Sequence, residues 1–197
     1  MRLRCGLVLA LLCFAAAAAQ AAPQCNESVG PGYATFCDGY YALCIKARCK
    51  PAAHGSNEAE CACAVEQGWS MGPAPCSAPG RKLTTPPPAN ALLMSTYSNL
   101  FNTSEKTLTC AAPDTQWAWC YGADCTVDAK DPSKAVCRCP VCTGAASTLG
   151  GNCKHADCKE IWSAATPKND AFANLHYYRY LTRQGVQVPP AATACRQ

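Results

Sequence analysis

The sequence predicts a small disulfide-rich, β-dominated fold: two tandem hairpin modules followed by a C-terminal α-helix. Three observations lead there. The ladder C-x4-C-x11-C-x-C occurs twice, at Cys44, Cys49, Cys61 and Cys63 and again, 76 positions on, at Cys120, Cys125, Cys137 and Cys139. The chain carries 18 cysteines, 16 of them behind what reads as an export signal, a density that marks a scaffold stapled by disulfides. Only one long segment, after Thr166, carries apolar residues at helical spacing.

At the N-terminus, Arg2 and Arg4 precede an apolar run from Gly6 to Ala19 and a small-residue site at Ala19-Gln20-Ala21, the composition of a secretory signal peptide over residues 1–21. The run is shorter than the roughly 18 to 20 residues that cross a bilayer, so no membrane insertion is expected. Losing the signal leaves 15 basic and 13 acidic side chains, net +2, a balance that predicts no nucleic-acid or anionic-membrane partner. Sixteen cysteines remain: Cys25, Cys37, Cys44, Cys49, Cys61, Cys63, Cys76, Cys110, Cys120, Cys125, Cys137, Cys139, Cys142, Cys153, Cys158 and Cys195. An even number exported to an oxidising compartment predicts bridges throughout. The expected location is extracellular or periplasmic, and the expected state is a monomer.

An N-terminal segment, residues 22–36, leads into the first module, residues 37–98, and the second follows over residues 99–166. Residues 41–68 align with 117–144 without gaps at ten identities, and Cys37 and Cys76 find counterparts in Cys110 and Cys153. A duplicated unit of about 60 residues explains this. Within the second unit the β-prone runs "CTVD" and "KAVCRCPV" flank Lys130-Asp131-Pro132-Ser133, good turn chemistry, and His54-Gly55-Ser56-Asn57 holds the same place in the first. On a strand, residues i and i+2 point the same way about 6.6 Å apart, so Cys61 and Cys63, or Cys137 and Cys139, should not bond each other. One of each pair is expected to close the hairpin to Cys49 or Cys125, the other to reach the segment before it. Of the cysteines left over, Cys142 is expected to meet Cys158, and Cys25 to clasp Cys195. The Pro-rich stretch from Ala78 to Ala91 reads as an extended surface loop.

Residues 167–197 then hold the helix and tail. Thr166-Pro167-Lys168-Asn169 opens it, with Asn169 or Asp170 as N-cap, and Phe172, Leu175, Tyr178 and Leu181 supply an apolar face that packs on the second module. Gly185 stops it.

Candidate chemistry is sparse. Cys139-Pro140-Val141-Cys142 has redox C-x-x-C spacing, yet no strand-then-helix pattern follows it. Cys137, Cys139 and Cys142 with His155 have zinc-ligand character, but zinc needs thiolates and export favours disulfides, so no metal and no cofactor are expected. Asp124, Asp128 and Asp131 lack EF-hand spacing. Three histidines, His54, His155 and His176, and no G-x-S-x-G elbow argue against an enzyme. Asn26-Glu27-Ser28 and Asn102-Thr103-Ser104 are glycan acceptor sequons. Trp117, Trp119 and Tyr121 alternate with smaller residues, so an extended backbone lines their rings along one face: a sugar-stacking platform if exposed, a packed face if buried. Tyr41, Leu43 and Ile45 at the matching positions favour packing. Lys46 and Arg48 sit in a loop pinned by Cys44 and Cys49, the sort of rigid basic loop that a protease inhibitor offers to a trypsin-like enzyme.

The pattern W-x2-C-x4-C, C-x-C, G-G-x-C and I-W-S-x-x-T, from Trp117 to Thr166, is similar to that of small cysteine-rich secreted bacterial proteins of unassigned function. The resemblance implies a periplasmic or extracellular origin and brings no catalytic residue; the first unit departs from it, with Tyr41 in place of the tryptophan. The function expected is a binding or structural role toward an extracellular protein or glycan, the alternative an inhibitor using Lys46 or Arg48.

Overall fold

The computed structural model describes residue 25 and residues 34–52, 57–98, 107–150, 161–187 and 195–196. The signal segment, the sequons at Asn26 and Asn102, His54 and Ser56, Cys153, His155 and Cys158 lie outside the described residues, as does the side chain of Cys195. In chain order the described elements are β1 (Thr35–Leu43), β2 (Arg48–Pro51), β3 (Glu58–Gly72), β4 (Leu92–Met94), β5 (Leu108–Cys110), β6 (Gln116–Ala118), β7 (Asp124–Val127), β8 (Lys134–Thr143), β9 (Ala146–Thr148), β10 (Ile161–Ser163), α1 (Pro167–Arg183) and β11 (Cys195–Arg196).

Strict alternation makes β3 and β8. Glu58, Glu60 and Ala62 face out while Ala59, Cys61 and Cys63 are buried; in β8, Lys134, Val136 and Arg138 face out while Ala135, Cys137 and Cys139 are buried. β1 and β2 run along the same partner, β3, as Leu43 lies opposite Ala64 and Cys49 opposite Cys61. β6 and β7 do the same along β8, with Ala118 opposite Val141 and Cys125 opposite Cys137. Between β7 and β8 the Asp128 carboxylate accepts from the Lys130 and Asp131 amides, and the Asp131 carbonyl accepts from the Lys134 amide, so the expected turn forms.

The two hairpins do not stand as separate tandem modules. β3 and β8 lie antiparallel with Cys61 opposite Cys137, which sets Ala59 against Cys139 and Cys63 against Ala135. β4, after the first hairpin, pairs with β7 at Leu93 and Cys125; β10, after the second, pairs with β2 at Ile161 and Cys49. β10 also runs parallel to β6, and Ser95 makes the matching parallel bridge to Ala42. Through β3, β2, β10, β6 and β8 the sheet returns to β3 and closes into a barrel. The physical reason is that an isolated two-stranded ribbon buries too little, so each hairpin covers its apolar face with the other and with the other's trailing strand. A second, three-stranded sheet joins β11, β5 and β9.

Sulfur fills the barrel. Cys44–Cys63, Cys49–Cys61, Cys120–Cys139 and Cys125–Cys137 lie inside with Ala42, Ala118, Leu93, Val127 and Ile161. The pairing rule inferred from the C-x-C spacing therefore holds in both halves. The Sγ of Cys44 lies 3.4 Å from that of Cys137, so bridges of the two halves touch. Cys37–Cys76 staples the rim of the first half. Cys142 bonds Cys25, which replaces both the expected Cys142–Cys158 bridge and the Cys25–Cys195 clasp. Period-two alternation explains it: Cys142 is three residues beyond Cys139, so it points to the opposite face, where Cys25, Trp117, Ala146 and Ala164 gather. Cys110 is bridged as well, to a sulfur outside the described side chains.

The helix begins earlier than expected. Thr166, not Asn169 or Asp170, is the N-cap: its hydroxyl accepts from the Asn169 amide at 3.1 Å, and Pro167 takes the first turn where no donor is needed. At the far end the Gly185 amide donates to Thr182 and the Val186 amide to Leu181, a Schellman closure that requires the positive φ of 73° at Gly185. The face also differs. Asn169, Ala173, Tyr177 and Leu181 are buried, whereas Leu175 is 48 % exposed. Tyr177 decides this phase, because its hydroxyl donates to the Trp69 carbonyl at 2.9 Å and meets Ser98 Oγ at 2.8 Å. The surface it covers comes from both halves: Phe36, Trp69, Met71 and Tyr97 from the first, with Tyr121 and β9 from the second.

The Pro-rich stretch is likewise no simple surface loop. Leu83 bridges to Tyr40, and Arg81 is 1 % exposed, its guanidinium donating to Ser70 Oγ and to the carbonyls of Thr35, Ser70 and Ala74. Gly72 leaves room for it: a Cβ there would come within 2.8 Å of the guanidinium carbon.

Candidate functional site

The row of aromatic rings predicted from the sequence forms, and it runs from the interior to the surface. Trp117, on β6, is 2 % exposed, packed with Cys142, Ala146 and Ala164, and its indole N–H finds no acceptor among the described residues. Trp119 and Tyr121, beyond the end of the strand, are partly buried; successive ring centroids in the row are 5.9 Å apart. The packing reading thus holds for Trp117. Trp119 and Tyr121 instead form one wall of a cleft.

That cleft, about 60 Å³, lies between this end of the barrel and the first turns of α1. Its walls are Trp119, Tyr121, Tyr97, Ile45, Ala164, Ala165 and Ala173, with Cys44 and Cys120 at its base, so both disulfide-anchored turns border it. Its polar groups are few: Ser95, Thr96, Ser147, Ser163, Asn169 and Asp170. Thr96 is 4 % exposed, and its hydroxyl has no hydrogen-bond partner among the described residues. Leaving a buried hydroxyl unpaired costs on the order of 1–3 kcal/mol.

Asp170 is the one carboxyl among the described residues that line the cleft. Burial pushes its pKa up to about 6, against which the Asn174 side-chain amide, donating to Oδ1 at 3.3 Å, works in the opposite direction. The Tyr97 hydroxyl donates to Asn174 Oδ1 at 2.6 Å, which orders the three side chains in a chain. Burial, and next the Asp170 charge, raise the Tyr97 phenol; burial raises that of Tyr121, with Arg81 opposing. Both phenols therefore stay neutral at ordinary pH. Asp170, Thr96 and Tyr97 were missed as site residues, because nothing local marks them; only the seating of α1 on the barrel assembles them.

The other candidates fall elsewhere. Lys46 and Arg48 are exposed, yet their turn is held: the Ala47 amide donates to the Cys44 carbonyl at 2.7 Å, the Ile45 carbonyl accepts from Leu149 and Thr148, and the Ala47 carbonyl accepts from Ser163. The Arg48 guanidinium lies 5.2 Å over the Trp162 ring. Cys139 and Cys142 have different partners, so the C-x-x-C is not a redox pair. Sulfurs of Cys44, Cys125 and Cys137, and of Cys49, Cys61 and Cys120, cluster within 4.8 Å, but all six are committed to disulfides and offer no thiolate to a metal. Asp128 and Asp131 are occupied in the turn, with Asp131 paired to Lys134 at 2.7 Å. His176 stacks near Phe172, 4.0 Å between rings, on α1. No helix among the described residues is long and apolar enough to cross a membrane.

Compared with protein-family models, curated proteins and solved structures, the chain has no match, so the reading of its function rests on this geometry.

Proposed function

We propose that the protein is a rigid, disulfide-stabilised binding module that acts outside the cytoplasm as a monomer and takes its target, a protein or a glycan, at the cleft between the barrel end and α1. The observation that carries this is the wall of Trp119 and Tyr121 on a turn anchored by Cys120–Cys139 and Cys125–Cys137. Aromatic rings held with little freedom left to lose are what low-cost recognition needs. The matching registers of the two hairpins support reading them as copies of one module that has diverged at the cleft, where Ile45 in one half corresponds to Tyr121 in the other. The reading is of a binder rather than an enzyme: among the described residues the cleft sets no imidazole beside its serines. An inhibitor would have to lay its loop in a protease as an extended strand, and the hydrogen bonds of Ile45 and Ala47 hold the Cys44–Cys49 turn folded.

The test is a screen of the oxidised protein against glycan and peptide-display arrays, with an Ala165→Trp variant that fills the cleft as the comparison. Binders captured by the native chain should be lost by at least tenfold in the variant, provided its bridges map identically. A chain that captures nothing, or ligands bound equally by both, refutes the proposal.

A further inference from the structure

We propose that the cleft recognises an alkylammonium group, held between the Asp170 carboxylate and the rings of Trp119, Tyr121 and Tyr97. This rests on the reading of the cleft as the binding site and names the chemistry of its ligand.

Size excludes most alternatives. Sites that enclose a whole small molecule occupy roughly 300–1,000 Å³. A cleft of about 60 Å³ takes a single projecting group of a few heavy atoms. Walls of aromatic and aliphatic side chains favour a group with apolar substituents, such as the methylene next to a charged nitrogen. The sign of the charge follows from what is present: among the described residues the lining has one ionisable carboxyl and no lysine, arginine or histidine. An anion would meet a carboxylate and electron-rich ring faces, whereas a cation meets complementary charge and three ring quadrupoles.

Asp170 supplies the independent observation. Among the described residues its one side-chain donor is the Asn174 amide at 3.3 Å, and no cation is paired with it. An ammonium has three donors and no acceptor, so it pairs with the Asp170 carboxylate while asking nothing of the apolar walls. A neutral alcohol has one proton to donate and leaves the carboxylate unbalanced.

Binding then depends on pH through Asp170. Its surroundings are Asn174 on its own helix and Tyr97 and Tyr121 from the barrel; both phenols are pushed up and stay neutral, and Lys168, earlier in the helix, is exposed. With the carboxyl at about 6 in the unoccupied site, the ionised fraction falls about tenfold between pH 7.5 and pH 5. Affinity for an ammonium falls with it, and affinity for a neutral isostere does not.

The experiment titrates the full oxidised chain with n-butylammonium and with 1-butanol at pH 7.5 and pH 5, read by amide and indole NMR shifts. Expected are saturable shifts at the Trp119 indole and the Thr96 amide for the ammonium, at least tenfold weaker binding of the alcohol, and about tenfold loss of ammonium affinity at pH 5. The near-isosteric Asp170→Asn should abolish the pH dependence, with unchanged spectra elsewhere. Cadaverine and N-acetyl-lysine amide, titrated alongside, show whether a polyamine or a lysyl side chain is the better source. Equal binding of alcohol and ammonium, or ammonium binding unchanged by pH and by Asp170→Asn, overturns the inference. If n-butylammonium fails to bind while an array ligand binds in an Ala165→Trp-sensitive way, the cation assignment falls and the binding cleft stands; if neither binds, both fall.

Discussion

Arg81→Met replaces a buried cation by an apolar chain of similar length, and two opposing effects decide the outcome. In favour of the variant, an unpaired buried charge carries a desolvation cost of several kcal/mol, and replacing buried ionic groups by well-packed apolar ones is often neutral or stabilising. Arg81 has no carboxylate among its acceptors, and burial lowers its pKa from the usual arginine value. Against the variant, the guanidinium nitrogens all have acceptors: Nε donates to Ala74 at 3.3 Å, Nη1 to Ser70 Oγ at 3.0 Å, and Nη2 to the carbonyls of Thr35 at 2.6 Å and Ser70 at 3.2 Å. Methionine keeps the packing of the stem but strips donors from three carbonyls and a hydroxyl, two of these groups on the buried Ser70 and two on the partly buried Thr35 and Ala74. At about 1 kcal/mol or more for each group left short, the loss is about 3–4 kcal/mol, and a net destabilisation of about 2–3 kcal/mol remains once relief of the buried charge is allowed for. Arg81→Lys should lose at least as much, because a point ammonium cannot span acceptors on β1, β3 and the segment after it. Guanidinium chloride unfolding with disulfides intact, followed by tryptophan fluorescence, measures both. A methionine variant as stable as the native chain would refute the view that this hydrogen-bonded fork, rather than packing alone, fastens the Pro-rich stretch.

Three further outcomes are expected. Leu93→Ala and Ile161→Ala each plug the barrel from a strand that seals the opposite hairpin, so each should cost about 3–4 kcal/mol, while Leu92→Ala, 41 % exposed, should stay within about 0.5 kcal/mol; a loss below about 1 kcal/mol at Leu93 would contradict the crosswise sealing. Asp170→Asn should stabilise the fold by about 2 kcal/mol at pH 7.5. The folded pKa, about 6, lies above the ordinary 3.8, so the native chain is most stable below the lower value and loses stability as pH rises through the higher one; a variant whose stability still falls between pH 4 and pH 6 as the native chain's does would refute the burial of this carboxyl. Trypsin mixed with equimolar protein should keep full activity and leave the Lys46 bond uncut, because the turn's carbonyls and amides are already paired; stoichiometric inhibition would restore the inhibitor reading.

The candidate site was half legible in the chain. Alternation at Trp117, Trp119 and Tyr121 announced a row of rings, but only the end of β6 at Ala118 and the helix beyond it separate the buried ring from those that face the cleft. On α1, apolar spacing pointed to Phe172, Leu175 and Tyr178; the polar tip of Tyr177, with a carbonyl and a serine waiting for it on the barrel, outweighed that pattern.

What the sequence determined by itself is the chemistry that acts over short distances along the chain: hairpins from period-two alternation and turn residues, and bridges closing 12 or 19 positions in both halves, because a C-x-C pair on one strand face must bond apart. Tertiary structure alone decided which hairpin each trailing strand seals, where Cys142 finds its partner 117 positions away, how Arg81 comes to be buried and how Asp170 reaches the aromatic wall. Those contacts depend on how two incomplete apolar faces cover each other once they meet, and no local pattern encodes a surface that exists only after the barrel has closed.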